Sequence, residues 1–265
     1  MAIGVSTACF YPMPTEEAFS LLGAAGVRTA EIFFNSPREL EPGFLNQLAR
    51  TQERYGISVR AVHPFTSGFE PFLLFSEYER RFEDGLQYYR RYFEAARLLG
   101  AAYVILHGER EDPVITHAEY FRRFARLSEL GAGYGVTLLQ ENVNKFSSQS
   151  PDFICKMADA LPQHAAFTLD LKQAVRAGHS PHDLAQAMGQ RLRHVHVSDH
   201  ANAESCLLPG RGRFDFAGFF SWLKQTHPDV DCILEVYRSA YRDAAEVLAS
   251  AQFLSGLYDG SATKQ

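Results

Sequence analysis

Cysteine is scarce in this chain: four in 265 residues, none in a C-x-x-C pair. Cys9, Cys155, Cys206 and Cys232 are too far apart for a disulfide framework or a zinc-thiolate site, and read as reduced, mostly buried thiols. Long apolar runs are also missing. The longest, around Tyr103–Leu106, are strand-sized and far from the ~18–20 residues a membrane helix needs, so a soluble protein is expected. The N-terminus, Met1-Ala2-Ile3-Gly4-Val5, has no basic flank or apolar signal core and runs straight into a strand-like segment, which makes the cytoplasm the expected location. Basic charge is short as well. Against 31 Asp+Glu there are 26 Lys+Arg, a formal charge of −5, whereas nucleic-acid binders rest on a basic surface that neutralises phosphates. No Pro/Ser/Gly-rich linker divides the chain.

What is present is alternation. Short β-branched or aromatic runs at 3–10, 29–34, 57–65, 101–108, 136–143, 165–171, 192–198 and 231–237 are separated by longer amphipathic stretches such as 14–25, 76–99 and 116–135. Several stretches open on a capping sequence, as in Pro14-Thr15-Glu16-Glu17 and Ser180-Pro181-His182-Asp183, and several close on glycine, at Gly26, Gly56, Gly100 and Gly135. Eight such pairs fit an α/β fold, a single (β/α)8 TIM barrel of about 250 residues, better than two domains. The expected division is a catalytic barrel over 1–260 and a polar tail over 261–265. A doubly wound sheet is the rival, but its first βα turn would carry a glycine-rich phosphate loop, and here that turn reads Ala8-Cys9-Phe10-Tyr11-Pro12-Met13-Pro14.

Active sites of such barrels sit at the C-terminal ends of the strands. Polar residues recur there: Val62-His63-Pro64-Phe65, Leu106-His107-Gly108-Glu109, Leu139-Gln140-Glu141-Asn142, Thr168-Leu169-Asp170, His194-Val195-His196-Val197-Ser198-Asp199 and Leu234-Glu235-Val236. Any one of them alone would read as a hydrogen-bonded core or rim group. Glu141, Asp170 and Glu235 together do not, because buried carboxylates need a partner or a metal, and a divalent cation is the simplest way to hold three on one rim. One imidazole completes a mixed oxygen and nitrogen set suited to one Mn, Mg, Co or Zn ion. Period-two alternation puts His194 and His196 on one strand face, with His196 at the rim as the ligand and His194 a layer deeper as its support.

These segments, with Pro209-Gly210-Arg211-Gly212-Arg213-Phe214-Asp215, resemble the xylose isomerase-like barrel superfamily. The likeness is to its sugar isomerase/epimerase branch of ketose 3-epimerases and hydroxypyruvate isomerase, related in turn to metal-dependent apurinic endonucleases. The resemblance spans nearly the whole chain. It implies that Glu141, Asp170, His196 and Glu235 bind one divalent metal and that Glu141 and Glu235 are the catalytic acid/base pair. In such chemistry a proton is taken from the carbon beside a carbonyl, and the resulting enediolate is stabilised by the cation. Return of the proton to the same carbon, on the opposite face, epimerises; return to the neighbouring carbon isomerises.

The chain departs from the family in two places. Three residues after Asp170, where many relatives have histidine, stands Gln173, a poor metal ligand; and where the endonucleases have Asp-x-His this chain has Glu204-Ser205-Cys206. Both weigh against extra metals and, with the charge, against a DNA-repair enzyme. His63 and His107 resemble endonuclease ligands but are read as substrate-hydroxyl contacts. Lys172, Arg211, Arg213 and Arg238, taken singly, read as solvated or ion-paired surface groups. Of these Arg213 and Arg238, with Gln173 and Asp199, join His63 and His107 as candidate substrate-binding residues. Phe10, Tyr11, Phe33, Phe34, Phe65, Phe69, Phe72 and Phe75 are expected to wall the pocket, while Tyr88, Tyr89, Tyr92 and Phe93 read as core.

The expected function is a divalent-metal-dependent ketose or polyol isomerase or epimerase of carbohydrate metabolism. Its alternatives are an apurinic endonuclease-like enzyme, a lyase or dehydratase on the same metal barrel, and a sugar-binding barrel without turnover. A free sugar or polyol is the expected partner, with no membrane or nucleic acid. Homo-oligomers are common in the resembling family, though no motif fixes a subunit number.

Overall fold

Apolar runs buried on both faces are what parallel strands covered by helices require, and eight of them pair side by side here. In the computed structural model, which describes residues 2–202 and 204–260, β1 (Ile3–Ser6), β2 (Thr29–Phe33), β3 (Ser58–His63), β4 (Tyr103–Leu106), β5 (Thr137–Glu141), β6 (Phe167–Asp170), β7 (Leu192–Val197) and β10 (Asp231–Leu234) form a closed barrel. All neighbours are parallel, and β10 closes the ring against β1. Around it run α1 (Thr15–Ala24), α2 (Pro42–Tyr55), α3 (Glu70–Leu73), α4 (Glu79–Leu99), α5 (His117–Ala132), α6 (Pro151–Ala160), α7 (Leu171–Arg176), α8 (Pro181–Met188), α9 (Phe216–Thr226) and α10 (Ala244–Asp259). A single α/β barrel is therefore what the chain forms. The expected tail at 261–265 lies outside the described residues. No helix among the described residues is long and apolar enough to cross a membrane.

Period-two alternation separates two environments. Outward residues such as Val5, Ile32, Val62, Val104, Leu138, Leu169, Val195 and Leu234 pack with the helices in one core, whereas Ala61, Ile105 and Leu139 fill the barrel interior with Ala166 and Tyr103. Above that interior layer the inward positions turn polar: Glu31, His63, Glu141, Asp170, His194 and His196 are all buried. Tyr89, Tyr92 and Phe93 on α4 are fully buried, as their helical spacing implied.

Most element ends match the turn chemistry of the sequence. Gly56 and Gly100 end α2 and α4 with φ of 63° and 69°, where a Cβ would be strained, and Ser180 caps α8 by accepting from His182 N at 3.2 Å. Other expectations change. Thr15 does not cap α1, because its hydroxyl is used on Phe33 O and Glu39 Oε2, each at 3.2 Å. The first strand stops at Ser6 rather than running to residue 10, because Ser6 Oγ accepts from Ala8 N at 3.3 Å and starts a 3-10 turn. An antiparallel hairpin, β8 (Asp199–Ala201) with β9 (Glu204–Leu207), follows β7 and was not marked by the alternation of the sequence. Cys9 and Cys232 are buried, but Cys155 is exposed and Cys206 half-buried, so only two of the thiols follow the expectation.

Gly4, on β1, leaves no room for a side chain. A Cβ there would stand 2.6 Å from Ile233 Cδ1 and 2.7 Å from the Thr29 carbonyl oxygen, and backbone cannot move aside cheaply. Gly4→Ala is expected to cost about 1–3 kcal/mol of stability, read as a lower urea midpoint; an unchanged midpoint would contradict this packing.

Candidate active site

The four residues expected to bind a cation come from four neighbouring strands. Glu141 and Asp170 end β5 and β6, His196 lies near the end of β7, and Glu235 follows β10 with its amide donating to Val197 O at 3.1 Å, so the ladder runs one residue past the strand. Around His196 Nδ1 lie Glu141 Oε1 at 3.1 Å, Asp170 Oδ2 at 3.7 Å and Glu235 Oε2 at 3.7 Å. Glu141, Asp170 and His196 offer ligand atoms close enough to share one ion. Glu235 Oε2 is buried without a hydrogen-bond partner, which leaves a lone pair aimed at the same centre. The set fits a divalent cation: hard carboxylate oxygens, one imidazole nitrogen, and an acceptor with nothing else to bind.

Outward-facing neighbours hold these side chains. Gln140 Nε2 donates to His107 O and Glu141 O, both at 2.9 Å, while its Oε1 accepts from Tyr120 Oη. Asn142 Nδ2 donates to Asp170 O at 3.0 Å and its Oδ1 accepts from Asp170 N at 2.7 Å, fastening β5 to β6 beside the cluster. Cys9 Sγ accepts from Val236 N at 3.4 Å and donates to Leu234 O at 3.4 Å, gripping the backbone on each side of Glu235.

Glu31, on β2, was missed by attention to strand ends. Its Oε2 accepts from both His194 Nε2 and His196 Nε2 at 3.0 Å, and Ser6 Oγ donates to its Oε1 at 3.1 Å. That bond uses the Nε2–H of His196 and turns Nδ1 toward the carboxylates, the usual way a second carboxylate fixes a ligand tautomer. The signal was in the sequence: a carboxylate between Ala30 and Ile32 in an apolar strand has to be paired. His194 is buried a layer below His196, as expected.

His63 and His107 gather on the other side of Glu141. His107 Nε2 lies 2.8 Å from Glu141 Oε2, His63 Nε2 lies 3.6 Å from it, and the two Nε2 atoms are 3.2 Å apart. Glu70, from the short α3, holds this corner by accepting from His107 N at 2.8 Å and Gly108 N at 2.7 Å; nothing in the sequence marked it. The other four candidates do not converge on the cluster. Asp199 accepts from the amides of His200, Gly210, Gly212 and Phe214 at 2.8–3.0 Å and so organises the loop. Gln173 Oε1 accepts from Asn144 N at 3.3 Å. Arg238 donates to Tyr241 O and Arg242 O. Arg213 is exposed beside a cavity of about 820 Å³ between the 209–217 loop and α10, on the outside of the barrel. Lys172, read as a surface group, is buried and donates to Asp170 Oδ2 and to Glu235 Oε1 at 2.6 Å. Of the eight aromatics expected to wall the pocket, Phe33 stands against His63 with ring centroids 4.8 Å apart. Phe34 and Phe75 belong to the outer core, and Tyr11, Phe69 and Phe72 are exposed.

Charges reinforce one another here. Burial pushes Glu141 up, but His107, His196 and His63 outweigh it and hold the carboxylate well below its ordinary range. Burial likewise opposes ionised Glu235, and the Lys172 ammonium overrides it. His63, disfavoured as a cation by burial, is raised to about 9 by Glu141 and Glu31.

Two residues beyond His107, Glu109 is buried and pushed up to about 7 by that burial, with Ser147 opposing only in part. A carboxyl whose folded-state pKa is raised stabilises the fold below about pH 4.5 and loses that contribution as the pH rises through about 7. Glu109→Gln should therefore gain melting temperature relative to wild type between pH 5 and pH 8. A difference that stays constant across those melts would contradict it.

Comparison with known proteins agrees with this architecture. An uncharacterized protein of Mycobacterium leprae (strain TN) is 27% identical over 92% of this chain and 91% of its own length. One of Mycobacterium tuberculosis (strain ATCC 25618 / H37Rv) is 28% identical with the same coverage. Among solved structures, a D-tagatose 3-epimerase-like protein superposes with a TM-score of 0.82 at 18% identity, covering 98% of both chains. D-psicose 3-epimerase from Clostridium cellulolyticum H10, solved with D-tagatose, gives 0.79 at 15% identity over 98% of this chain and 99% of that one. The IOLI protein with a binding zinc atom gives 0.76 at 17% identity over 99% and 100%. The family model described as xylose isomerase-like TIM barrel matches residues 19–256, and the chain belongs to that family.

Proposed function

We propose that this protein is a divalent-metal-dependent sugar isomerase or epimerase acting on a ketose or polyol-derived ketone by proton transfer at the carbon beside the carbonyl. The observation that carries it is the convergence of Glu141, Asp170 and Glu235 oxygens on His196 Nδ1 at 3.1–3.7 Å, with Glu235 Oε2 left without a partner. Sugar epimerases among the superposable structures, and the zinc of the IOLI protein, support the same reading.

Glu141, Asp170, His196 and Glu235 would hold the cation. When bound, it supplies Lewis-acid stabilisation of the negative charge that develops on the substrate oxygens. The remaining chemistry falls to the protein. Glu235 is kept ionised by Lys172, and a carboxylate lone pair engaged by neither Lys172 nor the cation serves as the base toward a C–H proton. Glu141, ionised and backed by the rings of His107 and His63, is the second acid/base group, with those imidazoles within reach of substrate hydroxyls and of the proton it carries. Phe33 covers His63 and helps keep water from the enediolate.

One observation favours a second reading. His63, His107 and Glu141 form another cluster of possible ligand atoms, the kind of corner a multi-metal nuclease uses, and more than one tightly bound metal per chain would move the balance toward it.

The first test is exchange of solvent deuterium into a ketose such as D-tagatose or D-psicose. Glu141→Gln and Glu235→Gln should each slow exchange by about 10²–10⁴-fold, and chelation should abolish it until Mn²⁺ is restored. Exchange that survives both substitutions would overturn the mechanism.

A further inference from the structure

Lys172 sits where a positive charge is least expected in a cation site. Helix α7 begins directly after Asp170, so residue 172 falls in its first turn and its side chain folds back over the end of β6. Asp170 has no spare oxygen: Oδ1 accepts from Gln173 N at 2.9 Å as the cap of α7, and Oδ2, the oxygen facing His196, accepts from Lys172 Nζ. Glu235 is divided, with Oε1 on Lys172 at 2.6 Å and Oε2 turned to the centre. The Lys172 side chain is 2% exposed, and the nearest aromatic face, Tyr237, lies 5.6 Å from Nζ. The ammonium therefore has little choice of partner beyond the two carboxylates.

From this we infer that Lys172 is a tethered cation competing with the divalent ion for Asp170 Oδ2, an inference that rests on the metal reading above. In the metal-free barrel it neutralises and orders the carboxylate cluster. On loading it gives up Asp170 Oδ2 and stays on Glu235 Oε1, so part of the binding energy goes into displacing it. Two cations at one oxygen repel strongly in a buried site, which weakens and makes reversible an otherwise tight ligand set.

The test is metal affinity rather than turnover. Mn²⁺ and Zn²⁺ are titrated calorimetrically, with chelator competition, into metal-stripped wild type, Lys172→Met and Lys172→Gln, and the melting temperature of each is taken with and without metal. Both variants should bind at least tenfold more tightly than wild type, melt lower when stripped, and gain more on loading. Affinity unchanged or weaker in both variants would overturn the tethered-cation role while leaving the metal reading intact. Metal bound by the variants but not by wild type would support the role and overturn the metal-dependent function. Binding by none of the three chains overturns both.

Discussion

Glu31, Glu141, Asp170 and Glu235 crowd the upper half of one barrel, all but the rim side of Glu235 being sealed from water, and an uncompensated charge in such a place costs several kcal/mol. The layout of the site follows from meeting that demand. Glu31 is met by two imidazole N–H groups and a hydroxyl, Glu141 by His63, His107 and His196, and Asp170 and Glu235 share the ammonium of Lys172. Glu235 Oε2, like Glu141 Oε2, has no hydrogen-bond partner, and it lacks the close imidazole that Glu141 Oε2 has in His107. On the proposed reading, a divalent ion would supply the compensation missing there.

The barrel turns this demand into geometry. A closed parallel ring aims alternate residues inward, so the same strands that pack Val195 and Leu169 against the helices place His196 and Asp170 at the centre. Side chains on the outer face then lock the inner ones: Gln140 and Asn142 flank Glu141 and tie β4, β5 and β6 together. Short helical turns after the strands add support at the rim, with Glu70 bonded to the His107 amide and Cys9 to the backbone beside Glu235. Glu141 and Glu235, the proposed acid/base groups, are thus carried at or directly after the ends of rigid strands, which favours the small tolerances that proton transfer needs.

Much of this is legible in the sequence because it obeys two local rules. Hydrophobic periodicity revealed the alternation of strands and helices, and a carboxylate or imidazole closing an apolar run marked Glu141, Asp170, His196 and Glu235. Other features escape those rules. Glu31 sits inside a strand, below the rim, where a carboxylate in an apolar run signals a buried partner rather than a strand end. Lys172 and Glu70 lie in segments whose burial is set by how a helical turn folds back on the barrel, which no spacing encodes. Asp199, Arg213 and Arg238 follow strand ends in sequence, but a hairpin after β7 and local carbonyl contacts take them elsewhere. Proximity along the chain matched position at the rim where the strand ladder, or its next residue, carried the side chain.

The proposed site places one divalent cation between Glu141, Asp170, His196 and Glu235. Anomalous diffraction at the manganese edge from crystals soaked in Mn²⁺ tests it most directly. A single strong peak is expected in each barrel, enclosed by Glu141, Asp170, His196 and Glu235. A barrel with no peak there, or with its peak held only by His63, His107 and Glu141, would contradict it.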